Sequence, residues 1–285
     1  MDFFYFNQRT KQHTIMIIPN RRLYLQAIVL IATMSLTVGC TDDHGLEPTR
    51  SGISGTIHYL GQWPTKTAEV RIVAATQFPP TDVNDLIIGD VLAIGGDSTE
   101  YTFYLNPGDY YLGLVWREED AAWGIQSIFG LLLEEGNPFS PEMVNVPDAN
   151  TIIPGKNIEA DFSKARRGSS SSISGTVRFV GQWPENIEGF MVIASTTFPP
   201  ITLLDFSFSS ILPGYVDSTD YFISASPDTF LAVGVVMKLI DQPWALENIV
   251  GILLKENSFQ PQEVIVPTET SQIEDVDFTV YFREE

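Results

Sequence analysis

One stretch of the chain occurs twice. Ile53-Ser-Gly-Thr-Ile-His-Tyr-Leu-Gly-Gln-Trp-Pro64 returns 120 residues later as Ile173-Ser-Gly-Thr-Val-Arg-Phe-Val-Gly-Gln-Trp-Pro184. The correspondence runs on. Phe78-Pro-Pro80 matches Phe198-Pro-Pro200, and Asp97-Ser-Thr-Glu-Tyr101 matches Asp217-Ser-Thr-Asp-Tyr221. Gly130, Leu132 and Leu133 match Gly251, Leu253 and Leu254, with one residue inserted near Val233. Phe139 and Pro141 match Phe259 and Pro261. A duplication of this length means two copies of one domain, which 285 residues accommodate at ~100–200 residues each. Two copies are too few for a propeller or a solenoid. Any activity that belongs to the domain must also be present in both.

The local pattern is that of strands. Ile53, Gly55, Ile57 and Tyr59 alternate with Ser54, Thr56 and His58, a period of two. Val70–Ala75, Thr99–Leu105 and Tyr110–Trp116 follow as further strands. Asn106-Pro-Gly-Asp109 is a turn signal, so 99–116 reads as a hairpin. Residues 81–96 read as a loop with room for a short strand, and Ile128–Leu133 as a buried strand or short helix. Glu142–Val146 and Asn157–Phe162 close the copy. Some seven short strands per copy, with frequent turns and no long amphipathic helix, predict an all-β architecture of two tandem antiparallel β-sandwiches.

The ends and joints have their own composition. Arg21-Arg22 precede an apolar run from Leu23 to Val38, followed by Gly39-Cys40, the layout of a secretory signal. Gly-Cys here resembles the lipobox of bacterial lipoproteins, which implies lipidation of Cys40 and membrane attachment through that lipid. Thr37 stands where that family prefers leucine. Met16 is an alternative start to Met1. Residues 1–39 are therefore read as a signal peptide and 40–50 as a polar tether. Sandwich one is expected over 51–163, a mobile serine-rich linker over 164–171, and sandwich two over 172–285. The acidic residues after Cys40 resemble the surface-export signal of Bacteroidota lipoproteins, which implies an outer-membrane protein that is periplasmic or surface-exposed.

Within the copies, Ser54-Gly-Thr-Ile57, Val70-Arg-Ile72 and Pro107-Gly-Asp-Tyr-Tyr111 resemble the carboxypeptidase regulatory-like, transthyretin-like sandwich domains. Ser174-Gly-Thr-Val177, Met191-Val-Ile193 and Pro227-Asp-Thr-Phe230 are their counterparts. The resemblance implies a non-catalytic module of secreted and surface proteins. Immunoglobulin-like or fibronectin-like topology is the alternative, although no motif diagnostic of either is present.

Charge and residue inventory exclude several functions. The net charge is −20, and residues 1–39 hold four basic residues and one acidic. The remaining body has 12 basic against 35 acidic residues, a net −23, which repels a phosphate backbone. Nucleic acid is not an expected partner. Cys40 is the only cysteine, and the histidines are His13, His44 and His58, with none in the second copy. Cysteine or histidine metal sites and a Ser-His-Asp triad are thus not properties of the repeated domain. No catalytic residue, metal or cofactor is expected.

Candidate ligand-binding residues are the tryptophans: Trp63 and Trp183 in the repeated turn, and Trp123 and Trp244 beside the apolar strand. An indole offers a large rigid face for a sugar or peptide, and it can equally close the end of a sandwich. Asp97-Ser-Thr-Glu100 and Asp217-Ser-Thr-Asp220 are the best oxygen clusters, but they lack the spacing of a calcium loop and read as turn caps. The expected role is structural, adhesive or that of an accessory subunit with an envelope-protein partner. A glycan-binding surface lipoprotein is the alternative.

Overall fold

The computed structural model of the chain describes residues 50–147, 150–242 and 244–282. The signal segment, Cys40, the alternative start at Met16 and nearly all of the tether lie outside these residues. The first copy contributes β1 (Gly52–Leu60), β2 (Thr67–Ala75), β3 (Ile87–Val91), β4 (Ser98–Tyr104), β5 (Gly108–Glu118), β6 (Ile128–Leu131), β7 (Met143–Val146), β8 (Ile152–Ile153) and β9 (Ile158–Asp161). The second contributes β10 (Ser172–Val180), β11 (Ile187–Ser195), β12 (Phe206–Phe208), β13 (Ser218–Ser224), β14 (Asp228–Phe230) and β15 (Ala232–Leu239). It ends with β16 (Ile249–Ile252), β17 (Val264–Val266), β18 (Gln272–Ile273) and β19 (Phe278–Tyr281).

Each copy is a sandwich with the same order. In copy one, β1 lies between β4 and the short pair β8 and β9, antiparallel to β4 and parallel to the other two. Opposite it, β3-β2-β5-β6 forms the second layer, with β7 alongside β5. Gly130↔Ala160 and Leu131↔Glu159 join β6 to β9 and connect the layers into one hydrogen-bonded path. Copy two repeats this as β13-β10 with β18 and β19, facing β12-β11-β15-β16. The first two strands never pair, whereas in the immunoglobulin constant-domain order strands A and B are neighbours.

The period-two pattern fills the cores. Ile53, Ile57 and Tyr59 of β1 meet Ile72 and Ala74 of β2 and Leu112, Leu114 and Trp116 of β5, with Phe129 at the centre. Ile173, Val177, Phe190, Val192, Val235 and Met237 do the same in copy two. One expectation changes and two are narrowed. The 99–116 stretch is not a hairpin, because β4 pairs with β1 while β5 pairs with β2, β6 and β7. Its Pro-Gly turn reverses the chain across the core rather than within a sheet, and Leu105 stays bound to the first layer by donating its N–H to the Ser51 carbonyl. Residues 128–131 are a strand. The inserted residue falls at Leu231, where the counterpart of β5 breaks into β14 and β15; Phe230↔Val264 keeps the register of Tyr110↔Val144, while Ser195↔Ala232 is one residue further on than Ala75↔Tyr111.

The repeated Ser-Gly-Thr has a specific cause. A Cβ on Gly55 would lie 2.1 Å from the Lys156 carbonyl oxygen, and one on Gly175 would lie 2.4 Å from that of Val276. The chain leading into the last strand passes directly over these glycines. The cross-strand neighbours Tyr101 and Tyr221 then donate their hydroxyls to the same carbonyls, at 2.6 and 2.7 Å. The following amides, Thr56 and Thr176, donate to the side chains of Asn157 and Asp277 at 2.9 and 2.7 Å. Burial pushes both phenols well above their ordinary pKa. Gly175→Ala must displace a backbone carbonyl, so it is expected to cost about 3 kcal/mol in urea unfolding. Tyr221→Phe should cost about 1 kcal/mol. An alanine variant as stable as the parent would contradict this packing.

Candidate functional site

The four tryptophans do not form one site. The Trp63 indole N–H donates to the Gly96 carbonyl at 2.9 Å, and its ring packs at 4.7 Å from Tyr59 and 4.5 Å from Phe162. Trp183 donates to the Val216 carbonyl at 3.1 Å, with Phe179, Phe282 and Tyr215 around it at 4.5, 4.9 and 5.7 Å. Both are half-buried and close the end of their sandwich. Gly61 and Gly181 allow the turn that aims them there, with φ of 85° and 103°, values that favour glycine. Trp123 is half-buried under the Arg117 guanidinium, 5.5 Å from its ring centroid. Trp244, its counterpart, is buried between the two copies.

The oxygen clusters are strand starts. Asp97 and Asp217 are exposed, and their carbonyls accept from the Tyr59 and Phe179 amides at 2.9 and 2.8 Å. Among the described residues, no group of three or more His, Cys, Asp or Glu side chains is placed to hold a metal ion. Glu118, from the acidic Glu118-Glu119-Asp120, pairs with Arg167 at 3.3 Å.

The most concentrated chemistry lies at the junction of the copies, over the residues 164–171 whose serine-rich composition predicts a mobile linker. Lys164 forms an ion pair with Asp205, whose side chain is fully buried. Arg166 faces Asp228 at 3.4 Å, and Arg167 reaches Glu269 at 2.8 Å. Ser169 and Ser171 both donate to the Ala225 carbonyl, at 2.7 and 2.6 Å. Every one of these contacts fixes the segment to a sandwich. A signal was present: three of the body's 12 basic residues fall between Lys164 and Arg167.

Above this polar seam is an apolar contact. Phe78, Tyr111, Leu131 and Leu133 of copy one pack on Met191, Ile193, Val236, Phe208 and Trp244 of copy two. Phe78 and Phe208 are edge-on at 5.8 Å. The Pro138 carbonyl accepts the Leu203 amide at 3.0 Å. Copy one carries Glu69, Arg71 and Arg117 where copy two has Gly189, Met191 and Lys238. Glu69 holds both arginines, at 2.8 and 2.7 Å. The second copy has thus exchanged most of an ion-paired sheet face for an apolar one, keeping a Lys238–Glu188 pair at 3.6 Å, and the apolar part is where the first copy is seated. The cleft left between them, lined by Phe78, Ile128, Lys164, Asp205 and Phe208, holds about 90 Å³, well below the ~300 Å³ at which small-molecule pockets begin.

Burial works against a charged Asp205, but the Lys164 ammonium and the amides of Ile201 and Thr202 outweigh it and hold its pKa below the usual carboxylate range. A depressed folded-state pKa contributes stability above the unfolded value, and that contribution is lost as pH falls below about 4. Lys164→Met leaves the carboxylate buried without its cation and is expected to cost about 3–5 kcal/mol at pH 7. The difference from the parent should shrink below pH 4 in denaturant titrations. A pH-independent difference would contradict the ion pair's role.

No family model matches the chain, and no curated protein matches it. Solved structures that resemble it include a leucine-rich repeat protein from Bacteroides thetaiotaomicron, at 10% identity and TM-score 0.37, covering 82% of this chain and 26% of that one. The chain therefore spans about a quarter of that protein's length. Two others are from Porphyromonas gingivalis. The fimbrial anchor protein Mfa2 has 12% identity and TM-score 0.21, covering 71% and 82% of the two chains. The tip fimbrial protein Mfa3, with C-terminal truncation, has 8% identity and TM-score 0.22, covering 74% and 84%. At these scores neither kinship nor function follows from the likeness.

Proposed function

We propose that the chain is a non-catalytic cell-envelope lipoprotein, attached to the outer membrane through a lipid on Cys40, with a structural, adhesive or accessory-subunit role. Its two sandwiches are of the transthyretin-like kind and act as one body. The observation that carries this reading is the junction. An apolar contact flanked by ion pairs from Lys164, Arg166 and Arg167 joins the two domains into one body and leaves no large cleft for a substrate between them. Such a body presents its outer surfaces to other macromolecules, and its strong negative charge keeps it soluble beside the membrane.

The engaged tryptophans support the structural reading over the glycan-binding one. A stacking platform needs a free indole face, whereas Trp63 and Trp183 each use the N–H and ring inside their own sandwich. Two experiments test the proposal. Cys40→Ser should remove metabolic fatty-acid labelling and move the protein from the membrane fraction to the soluble one; retention of label would overturn the anchor. Trp63→Phe/Trp183→Phe should lower stability by about 2 kcal/mol per site without changing binding across a glycan panel. A parent glycan signal that vanishes in the folded double variant would make the tryptophan turns a binding site instead.

A further inference from the structure

We propose that the contact joining the two copies is one step of a head-to-tail series, and that a second copy of this chain supplies the next step. The internal contact is asymmetric. Copy one seats Phe78, Leu133 and Phe139, while copy two offers the sheet face of Met191, Ile193 and Phe208. The counterparts of the seated residues in copy two are Phe198, Leu254 and Phe259, and they are bare. Phe78 is 8% exposed but Phe198 is 49%, Leu254 42% and Phe259 98%. Three apolar side chains that serve as an interface in one copy are therefore presented, unused, at the equivalent place in the other. Grouped apolar exposure of this sort marks an interaction surface.

At the opposite end only the outer edge of the receiving half is bare, since Val73 and Val115, the counterparts of Ile193 and Val236, are 2% exposed. In copy two the receiving edge is β12, where Phe208 pairs with Ile193; in copy one the matching edge is β3, where Ile88 pairs with Val73. Ile88 is 45% exposed, and Ile87 and Val91 beside it are exposed as well. A contact whose two halves lie on different surfaces is heterologous, and it repeats along a line or ring instead of closing as a symmetric dimer. The chain thus carries an unused seating surface on copy two and an unused receiving edge on copy one. The occupant of each is the other, on a second copy.

The intermolecular step is weaker than the internal one for two stated reasons. Arg71, paired to Glu69, replaces Met191 on the receiving face. The bodies also carry a net charge of −23 each and repel. Association is accordingly expected to strengthen as salt screens that repulsion.

The test uses the full chain with Cys40→Ser, which removes the only native thiol. One preparation carries Asp90→Cys on β3 and the other Gln260→Cys beside Phe259; both positions are exposed. Mixed and treated with a short bismaleimide, they should give a cross-linked pair well above either preparation alone, with a higher yield at high salt. Phe259→Ser should abolish the pair while leaving the fold intact, since that side chain is almost wholly in solvent. A mixture that cross-links no better than its separate components, or a yield unchanged by Phe259→Ser, would overturn the proposal.

Discussion

Each sandwich depends on one close approach. The chain entering the last strand crosses β1 over Gly55, and β10 over Gly175, with a backbone carbonyl where any side chain would sit. Tyr101 and Tyr221 reach across from the neighbouring strand to bind that carbonyl. The crossing lets β1 pair in parallel with β8 before it and β9 after it, so the first and last strands of a copy lie side by side. Without it, β4-β1 would be a two-stranded ribbon unable to cover the second layer. The core residues Ile53 and Ile57 sit on either side of the glycine, so the same constraint places the first layer's apolar face.

The second organising contact is where the copies part company. They share turns, glycines, tyrosines and cis peptides at Phe78-Pro79 and Phe198-Pro199. They differ on the outer sheet face, where Arg71 becomes Met191 and the Glu69 ion pairs are lost. A paired arginine face is stable in water; a methionine face is stable only when covered. Copy two's face is covered by copy one, and the Lys164–Asp205 pair locks the seam at its edge. The same local turn exists in copy one, where Asp85 accepts the amides of Thr81 and Asp82 in the open. One duplicated turn has thus become solvent-facing in one copy and interfacial in the other.

The repeat, the strand pattern and the two-layer architecture were legible in the sequence because period-two burial and Gly-Pro punctuation are local signals. Tyr101 and Gly55 were visible as repeated residues, but their meeting at the Lys156 carbonyl was not, since Lys156 lies 55 positions from the tyrosine and still further from the glycine. The hairpin misreading has the same origin: a Pro-Gly turn fixes a reversal, and only the core decides whether the next strand stays in the sheet. Serine content alone predicts a mobile linker at 164–171, whereas its three cations find carboxylates on the second copy and hold it in place. Trp123 and Trp244 look equivalent in sequence, yet only one is buried at the junction, because the difference lies in what covers them.

The central claim is that the crossing over β1 and β10 is the most constrained part of each copy. Native-state hydrogen exchange on the full chain measures this directly. The Lys156 and Val276 amides, which donate to the Ser54 and Ser174 carbonyls at 3.1 Å, are expected to exchange only on global unfolding, as slowly as the core amides of β5 and β15. Exchange at these amides through an independent, low-energy opening, with the β5 and β15 amides still protected, would contradict it.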